Sequence, residues 1–197
     1  MEKSNVSHSC KAVIIGGSAG SIEVLLKILP ALPEPLTYTL IIVLHRKHTA
    51  ESALADLLTS KSRLVIHEVE DKEPLLPGNI YLAPADYHLL IEHSLVFSLD
   101  ASEKVNYSRP SLDVSFESAA DVFGPSLVGI LLSGANADGT LGLKAIKRAG
   151  GLIIAQKPET ARVAYMPQQA IQEAGVDYVL DIFELARLLN LLNNQGD

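Results

Sequence analysis

Residues 16–20 read Gly-Gly-Ser-Ala-Gly, a G-x-S-x-G pentapeptide centred on Ser18. It follows an apolar run, Ala-Val-Ile-Ile at 12–15, and precedes apolar residues at helical spacing. Glycines on both sides of a serine allow a tight strand-to-helix turn that leaves the hydroxyl exposed at the tip. The N-terminus of the next helix points unpaired main-chain N–H groups at the same place, where a developing oxyanion can be held. The chemistry that fits is nucleophilic attack by Ser18 on an acyl carbon. A plain helix cap is the competing use of the same residue, and the motif alone leaves both open. Phosphate-binding loops fit worse. The dinucleotide fingerprint needs glycine where Ser18 stands, and the Walker motif needs a terminal Gly-Lys-Ser/Thr.

A nucleophilic serine needs a base, and the base needs an orienting acid. His45 directly follows a second apolar run at 39–44. If the two strands are neighbours, its imidazole lies beside Ser18. His48, three residues on, competes for the role. His67 and His88 fall inside predicted strands, and His8 and His93 read as surface residues. Asp138 lies in Ser-Gly-Ala-Asn-Ala-Asp-Gly-Thr at 133–140, after a third apolar run. There it either orients the imidazole or caps the helix starting near Thr140. Asp113 and Asp121 sit on a predicted helix and are the other acids considered. The order Ser, His, Asp differs from the Ser, Asp/Glu, His order of α/β-hydrolases, so that fold is not expected.

These residues are positioned by alternating elements. Continuous apolar runs at 12–15, 39–44 and 127–132 read as parallel strands covered on both faces. Shorter strands are expected at 64–67, 79–83, 152–155 and 178–180, and helices at 21–30, 50–60, 111–123, 140–149, 167–174 and 182–193. Inward stripes are expected at Ile22, Leu25, Leu26 and Leu29, at Leu54, Leu57 and Leu58, and at Leu112, Phe116, Ala119, Ala120 and Phe123. Segments 87–92 and 94–98 read as an antiparallel hairpin around His93. The fold class is therefore α/β: a doubly wound α/β/α sandwich, mostly parallel, with the hairpin at one edge. In such sheets ligands bind beyond the carboxyl ends of the strands, where Ser18, His45 and Asp138 fall.

The chain has 197 residues, which suits one domain, expected at 12–193 after a flexible tail at 1–11. Its net charge of −7 argues against nucleic-acid binding and against anionic membrane surfaces. The single cysteine, Cys10, cannot form an intrachain disulfide and is placed in the tail, away from the chemistry. No apolar run is long enough for a membrane span and no signal peptide is visible, so a cytoplasmic location without membrane insertion is expected.

Nearly the whole chain resembles the catalytic domain of the chemotaxis-receptor methylesterase family, CheB. The resemblance rests on ordered motifs: IGGSAG at 15–20, VLHR at 43–46, PGNIYLAP at 77–84 followed by His88, and SRPSLDVSF at 108–116. GILLSGANADGTLGLKAIKRAGG at 129–151, AQKPETA at 155–161 and YMPQQAI at 165–171 complete it. It implies a triad of Ser18, His45 and Asp138, with Ala19, Ala135 and Met166 at oxyanion and pocket positions. It implies hydrolysis of glutamate γ-methyl esters on methyl-accepting chemotaxis receptors, releasing methanol, with glutamine deamidation as a second activity and no metal or cofactor. The sequence departs from the family pattern at Ala19, usually a hydroxyl residue, and at Ser21, usually glycine. Ala135 replaces a methionine that supplies a main-chain N–H, and Asn136 replaces a glycine. Family members typically carry a receiver domain; with eleven residues before the first strand, the expectation is constitutive activity, control by a partner such as a separate receiver protein, or a sequence that is a piece of a larger protein. A catalytically impaired relative serving as a scaffold, and an esterase for another ester, are the alternatives.

Overall fold

The computed structural model describes residues 9–46 and 51–193, with the side chains of residues 51 and 52 outside the description. His8, His48 and most of the expected tail lie outside the described residues. Seven parallel strands form the main sheet: β1 (Ala12–Gly17), β2 (Thr39–Leu44), β3 (Ile66–Glu68), β4 (Ile80–Leu82), β7 (Leu127–Leu131), β8 (Leu152–Gln156) and β9 (Tyr178–Leu180). Their order is β3-β4-β2-β1-β7-β8-β9, with β1 central. The chain winds outward from β1 through β2 to one edge, then returns to β7 on the other side. This reversal at β1 opens a crevice at the carboxyl ends of β1, β2 and β7.

The central strands are aliphatic throughout because both faces are covered. All six residues of β1 and of β2 are buried. One face carries α1 (Ser21–Ile28), α2 (Glu51–Lys61) and α6 (Ile182–Asn193), which pack Leu25, Leu58 and Leu189 against Val13, Ile15 and Ile42. The other carries α3 (Leu112–Phe123), α4 (Thr140–Arg148) and α5 (Tyr165–Gln169), which runs on as a wider turn over Ala170–Ala174. Here Phe116, Leu143 and Met166 join Ile14, Val43 and Leu131.

Strands β5 (His88–Ile91) and β6 (Phe97–Asp100) pair antiparallel, as expected, but form a sheet of their own. Leu89, Ile91 and Phe97 turn into the core beside α3, so the hairpin is held by side-chain burial, not by ladder bonds to the main sheet. Two helical stripes are rotated from expectation. In α1 the buried residues are Ser21, Val24, Leu25 and Ile28, while Ile22 is exposed. Ser21 turns inward because its hydroxyl bonds the main chain of β7's exit loop at Ser133. In α2, Leu54 and Leu58 are buried and Leu57 faces out. The third strand begins at Ile66, later than expected, with Val65 largely exposed before it.

Cys10 is not in a loose segment. Its thiol is partly buried, donates to Ala12 O at 3.6 Å, and is pushed up to about 12 by burial. It lines a cavity of about 240 Å³ with Ser126, Leu127 and Leu152, at the opposite end of the strands from Ser18. Among the described residues no helix is long and apolar enough to cross a membrane.

Candidate active site

The turn that carries Ser18 is built by close approach. A Cβ on Gly16 would lie 2.7 Å from Phe116 Cζ, so only glycine lets α3 pack there. Gly20 has φ 87°, a left-handed conformation that L side chains rarely adopt, and it is the N-cap of α1. The Ser18 N–H donates to Ser133 O at 2.9 Å and lies 3.2 Å from Ser21 Oγ. Ser21 Oγ in turn donates to Ser133 O at 2.8 Å. Ser133 Oγ donates to Ala19 O at 2.6 Å and accepts from the Val163 N–H at 2.9 Å. The serine turn is thus stitched to the exit of β7 and to the segment before α5. Ser18 itself is half-buried, with its neighbour Ala19 exposed.

His45 follows β2 as Ser18 follows β1. Gly17 and Leu44 are partners in register, so Ser18 and His45 are the next pair, and the His45 N–H donates to Gly17 O at 3.1 Å. His45 Nε2 lies 2.7 Å from Asp138 Oδ2, with the carboxylate wholly buried. Asp138 accepts four further bonds, three from the start of α3 and one from Gly139. Oδ2 takes the Leu112 N–H at 2.7 Å, and Oδ1 takes the Asp113 N–H at 3.0 Å, the Ser111 hydroxyl at 3.0 Å and its neighbour's Gly139 N–H at 3.1 Å. Burial pushes this carboxyl up, but the His45 ring and the Leu112 and Asp113 N–H groups outweigh it. Asp138 ends below the ordinary carboxylate range.

The alternative expected for Asp138, capping α4, holds only through the Gly139 N–H at 3.1 Å; its other main-chain bonds lie at the start of α3. Asp138 caps α3, and α4 is capped by Asp113, whose Oδ1 accepts the Gly139 N–H at 2.9 Å and the Gly142 N–H at 2.7 Å. Each acid therefore closes the helix next to the other. Behind them, Ser111 donates its N–H to His88 Nδ1 at 3.1 Å, and His88 Nε2 donates to Glu103 O at 2.9 Å. His88 is a packed histidine with both nitrogens used. His67 pairs with Glu73, and His93 with Asp121 at the surface.

Ala135 is exposed on the loop after β7. Met166 is fully buried under Gly134, where a Cβ would lie 2.4 Å from Met166 Cε and 3.1 Å from Ser18 Cβ. Met166 thus backs the serine turn from inside the fold. Asn136 Oδ1 accepts the Asp138 N–H at 3.1 Å, so the asparagine tightens this loop. A cleft of about 360 Å³ opens beside His45, lined by Arg46, Lys104, Tyr107, Ser108 and Arg109. Among the described residues no cluster of three or more His, Cys, Asp or Glu side chains is placed to ligate a metal ion. Sequence reasoning missed Ser111, Ser133 and His88 as supports. Only Ser111 had a local signal, a serine just before a helical pattern.

Three comparisons bear on what this arrangement serves. The family model for CheB methylesterase matches residues 13–189. A Leptospira interrogans protein provisionally named protein-glutamate methylesterase/protein-glutamine glutaminase is 44% identical over 186 residues, covering 94% of this chain and 96% of its own. The Thermotoga maritima protein-glutamate methylesterase/protein-glutamine glutaminase is 36% identical over 184 residues, covering 92% of this chain and 54% of its own. The crystal structure of the Thermotoga maritima CheB methylesterase catalytic domain superposes with a TM-score of 0.89 at 36% identity, covering 93% of this chain and 99% of that one.

Proposed function

The chain belongs to the CheB methylesterase family, and from that premise we propose that it hydrolyses glutamate γ-methyl esters on methyl-accepting chemotaxis receptors, releasing methanol. The observation that carries the reading is the junction of three strand ends. Ser18 and His45 stand side by side in register, and His45 is bonded to a buried, ionised Asp138.

The reaction proceeds in two halves. With Nε2–H held by Asp138, His45 Nδ1 takes the Ser18 proton as Oγ attacks the ester carbonyl. Charge develops on the carbonyl oxygen, and the main-chain N–H groups of Ala19 and Ala135, with the N-terminus of α1, hold it. The imidazolium returns its proton to the departing methoxide, giving methanol and a Ser18 acyl ester. Water then attacks, losing its proton to His45. The tetrahedral adduct collapses, Ser18 recovers the proton from His45, and the freed glutamic acid loses its remaining proton to solvent to leave as the carboxylate. Asp138 stays ionised and stabilises the imidazolium in both halves. The same steps with ammonia as leaving group convert glutamine to glutamate, the second activity in the names of the relatives. Met166 shapes the pocket floor. The family's receptor substrate implies work at the cytoplasmic side.

The test is methanol release from methylated chemoreceptor by the wild type and Ser18→Ala side by side. Release by the wild type alone supports the reading. Equal release, or none from a folded wild type, overturns it.

A further inference from the structure

Asp113 has no part in the reaction above, yet it is buried at the centre of the site's support. Its Oδ1 accepts the Gly139 and Gly142 N–H groups at the start of α4, and its Oδ2 accepts from Asn106 Nδ2 at 3.1 Å. Asp138, from the loop leading into α4, accepts the Leu112 and Asp113 N–H groups at the start of α3. The two helices meet closely: a Cβ on Gly142 would lie 2.5 Å from Phe116 Cβ and 3.1 Å from Asp113 Cα. Neither acid can shift without loosening the cap of the helix that carries or follows the other. Both carboxylates also share the Gly139 N–H, at 2.9 Å and 3.1 Å.

We propose that Asp113 is a positioning residue for the His45–Asp138 pair, holding the Asp138 loop by capping α4 and adding its negative charge to the field at His45. The proposal rests on the esterase reading and deepens it. Asp113 is pushed up to about 6, by burial first and then by the charge of Asp138, against the Gly142 and Gly139 N–H groups. Its charge thus changes in the range where a histidine base titrates. The groups that face it are Asp138 with His45 beyond, the neutral Asn106 amide, and the Lys144–Glu173 pair at 3.6 Å along the same cleft.

The test follows two rates against pH: Ser18 labelling by a fluorophosphonate, and methanol release from methylated receptor. Asp113→Asn keeps an acceptor for both α4 N–H groups and removes the charge, at the loss of the bond from Asn106. The acid limb of both profiles moves to lower pH, by about half a unit. Asn106→Ala leaves both caps and withdraws a donor from the Asp113 carboxylate, so the limb moves the same way by less. Superimposable profiles for wild type and a folded Asp113→Asn overturn the proposal. If that variant does not fold, an unmoved limb in Asn106→Ala does so. A wild type that labels at Ser18 but releases no methanol overturns the methylesterase reading alone, and the labelling profiles then decide the role of Asp113. No labelling of wild type overturns both.

Discussion

His45 presents Nε2, the far nitrogen of its ring, to Asp138, at 2.7 Å. In the proposed mechanism the near nitrogen, Nδ1, is the one that serves Ser18. The main-chain geometry is compatible with that assignment. The His45 N–H is bonded to Gly17 O, the residue before the serine, so the histidine backbone is pinned close to the proposed nucleophile. From there the long reach of Nε2 meets Asp138 Oδ2. In chymotrypsin-like enzymes the two nitrogens have the opposite assignments.

The first prediction concerns that tautomer. Neutral His45 carries its proton on Nε2, where a buried, ionised carboxylate receives it. Long-range proton–nitrogen correlation spectra of the wild type at alkaline pH are expected to show a protonated Nε2 and a bare Nδ1. The reverse pattern would contradict the assignment of the base.

Asp138→Asn tests the acid. Asparagine can keep its oxygen toward the Asp113 and Gly139 N–H groups. Its amide then faces Leu112 N–H and His45, which forces the proton of His45 onto Nδ1, opposite Ser18. Turnover should fall about 10³–10⁴-fold. The Leu112 N–H loses its acceptor at a cost of about 1–3 kcal/mol, so the protein still folds. A near-normal rate in this variant would reduce Asp138 to a helix cap.

Ser21→Ala probes the serine turn. The hydroxyl bridges the Ser18 N–H and Ser133 O inside a fully buried site. Without it, the direct bond from Ser18 N–H to Ser133 O remains. Stability should drop by about 1 kcal/mol in urea unfolding, and ester turnover several-fold with KM unchanged. Loss of stability without loss of turnover would show that the turn is held by its direct bond alone.

Gly134→Ala separates packing from placement. The new methyl would stand 2.4 Å from Met166 Cε and 3.1 Å from Ser18 Cβ. The flexible end of methionine can withdraw; the serine, fixed by its turn, cannot. A fall in turnover of about tenfold or more is expected, with melting lowered by a few degrees. Unchanged turnover would mean that Ser18 tolerates displacement.

The parts of this site that were legible from the sequence are those encoded by neighbours in the chain. The buried strands and the glycine turn announce Ser18 and His45 locally, since each directly follows a continuous apolar run. The setting of Asp138 was half legible: its place after β7 could be read, but its capping of α3 could not, because its partners stand 25 and 26 residues away. Asp113 read as a weaker candidate for the acid, and its capping of α4 was hidden for the same reason. Rotation errors in α1 arose where a polar residue, Ser21, took an inward position that an apolar pattern assigns to Ile22. The hairpin was legible as a pair of strands, but its separation from the main sheet depends on tertiary burial that no local pattern expresses.

The last prediction turns the Asp113–Asp138 contrast into a dependence of stability on pH. Asp113 is raised from its ordinary 3.8 to about 6, so between these values the folded state holds its proton more tightly than the unfolded chain. Its contribution therefore becomes less favourable as pH climbs from about 4 to about 6, and the full cost persists above that. Asp138 is lowered, so its contribution is present above the ordinary carboxylate value and is lost only as pH falls through its folded pKa, below about 4. The two windows do not overlap. Unfolding free energies of wild type and Asp113→Asn, measured by urea at several pH values, should differ by an amount that changes across the upper window. The variant gains on the wild type by about 1–3 kcal/mol as pH rises through it. The constant part of the difference reports the caps of α4, which do not titrate with Asn in place. A difference that stays flat from about pH 4 to about pH 7 would mean that Asp113 ionises like a surface carboxylate, despite its burial and its neighbour.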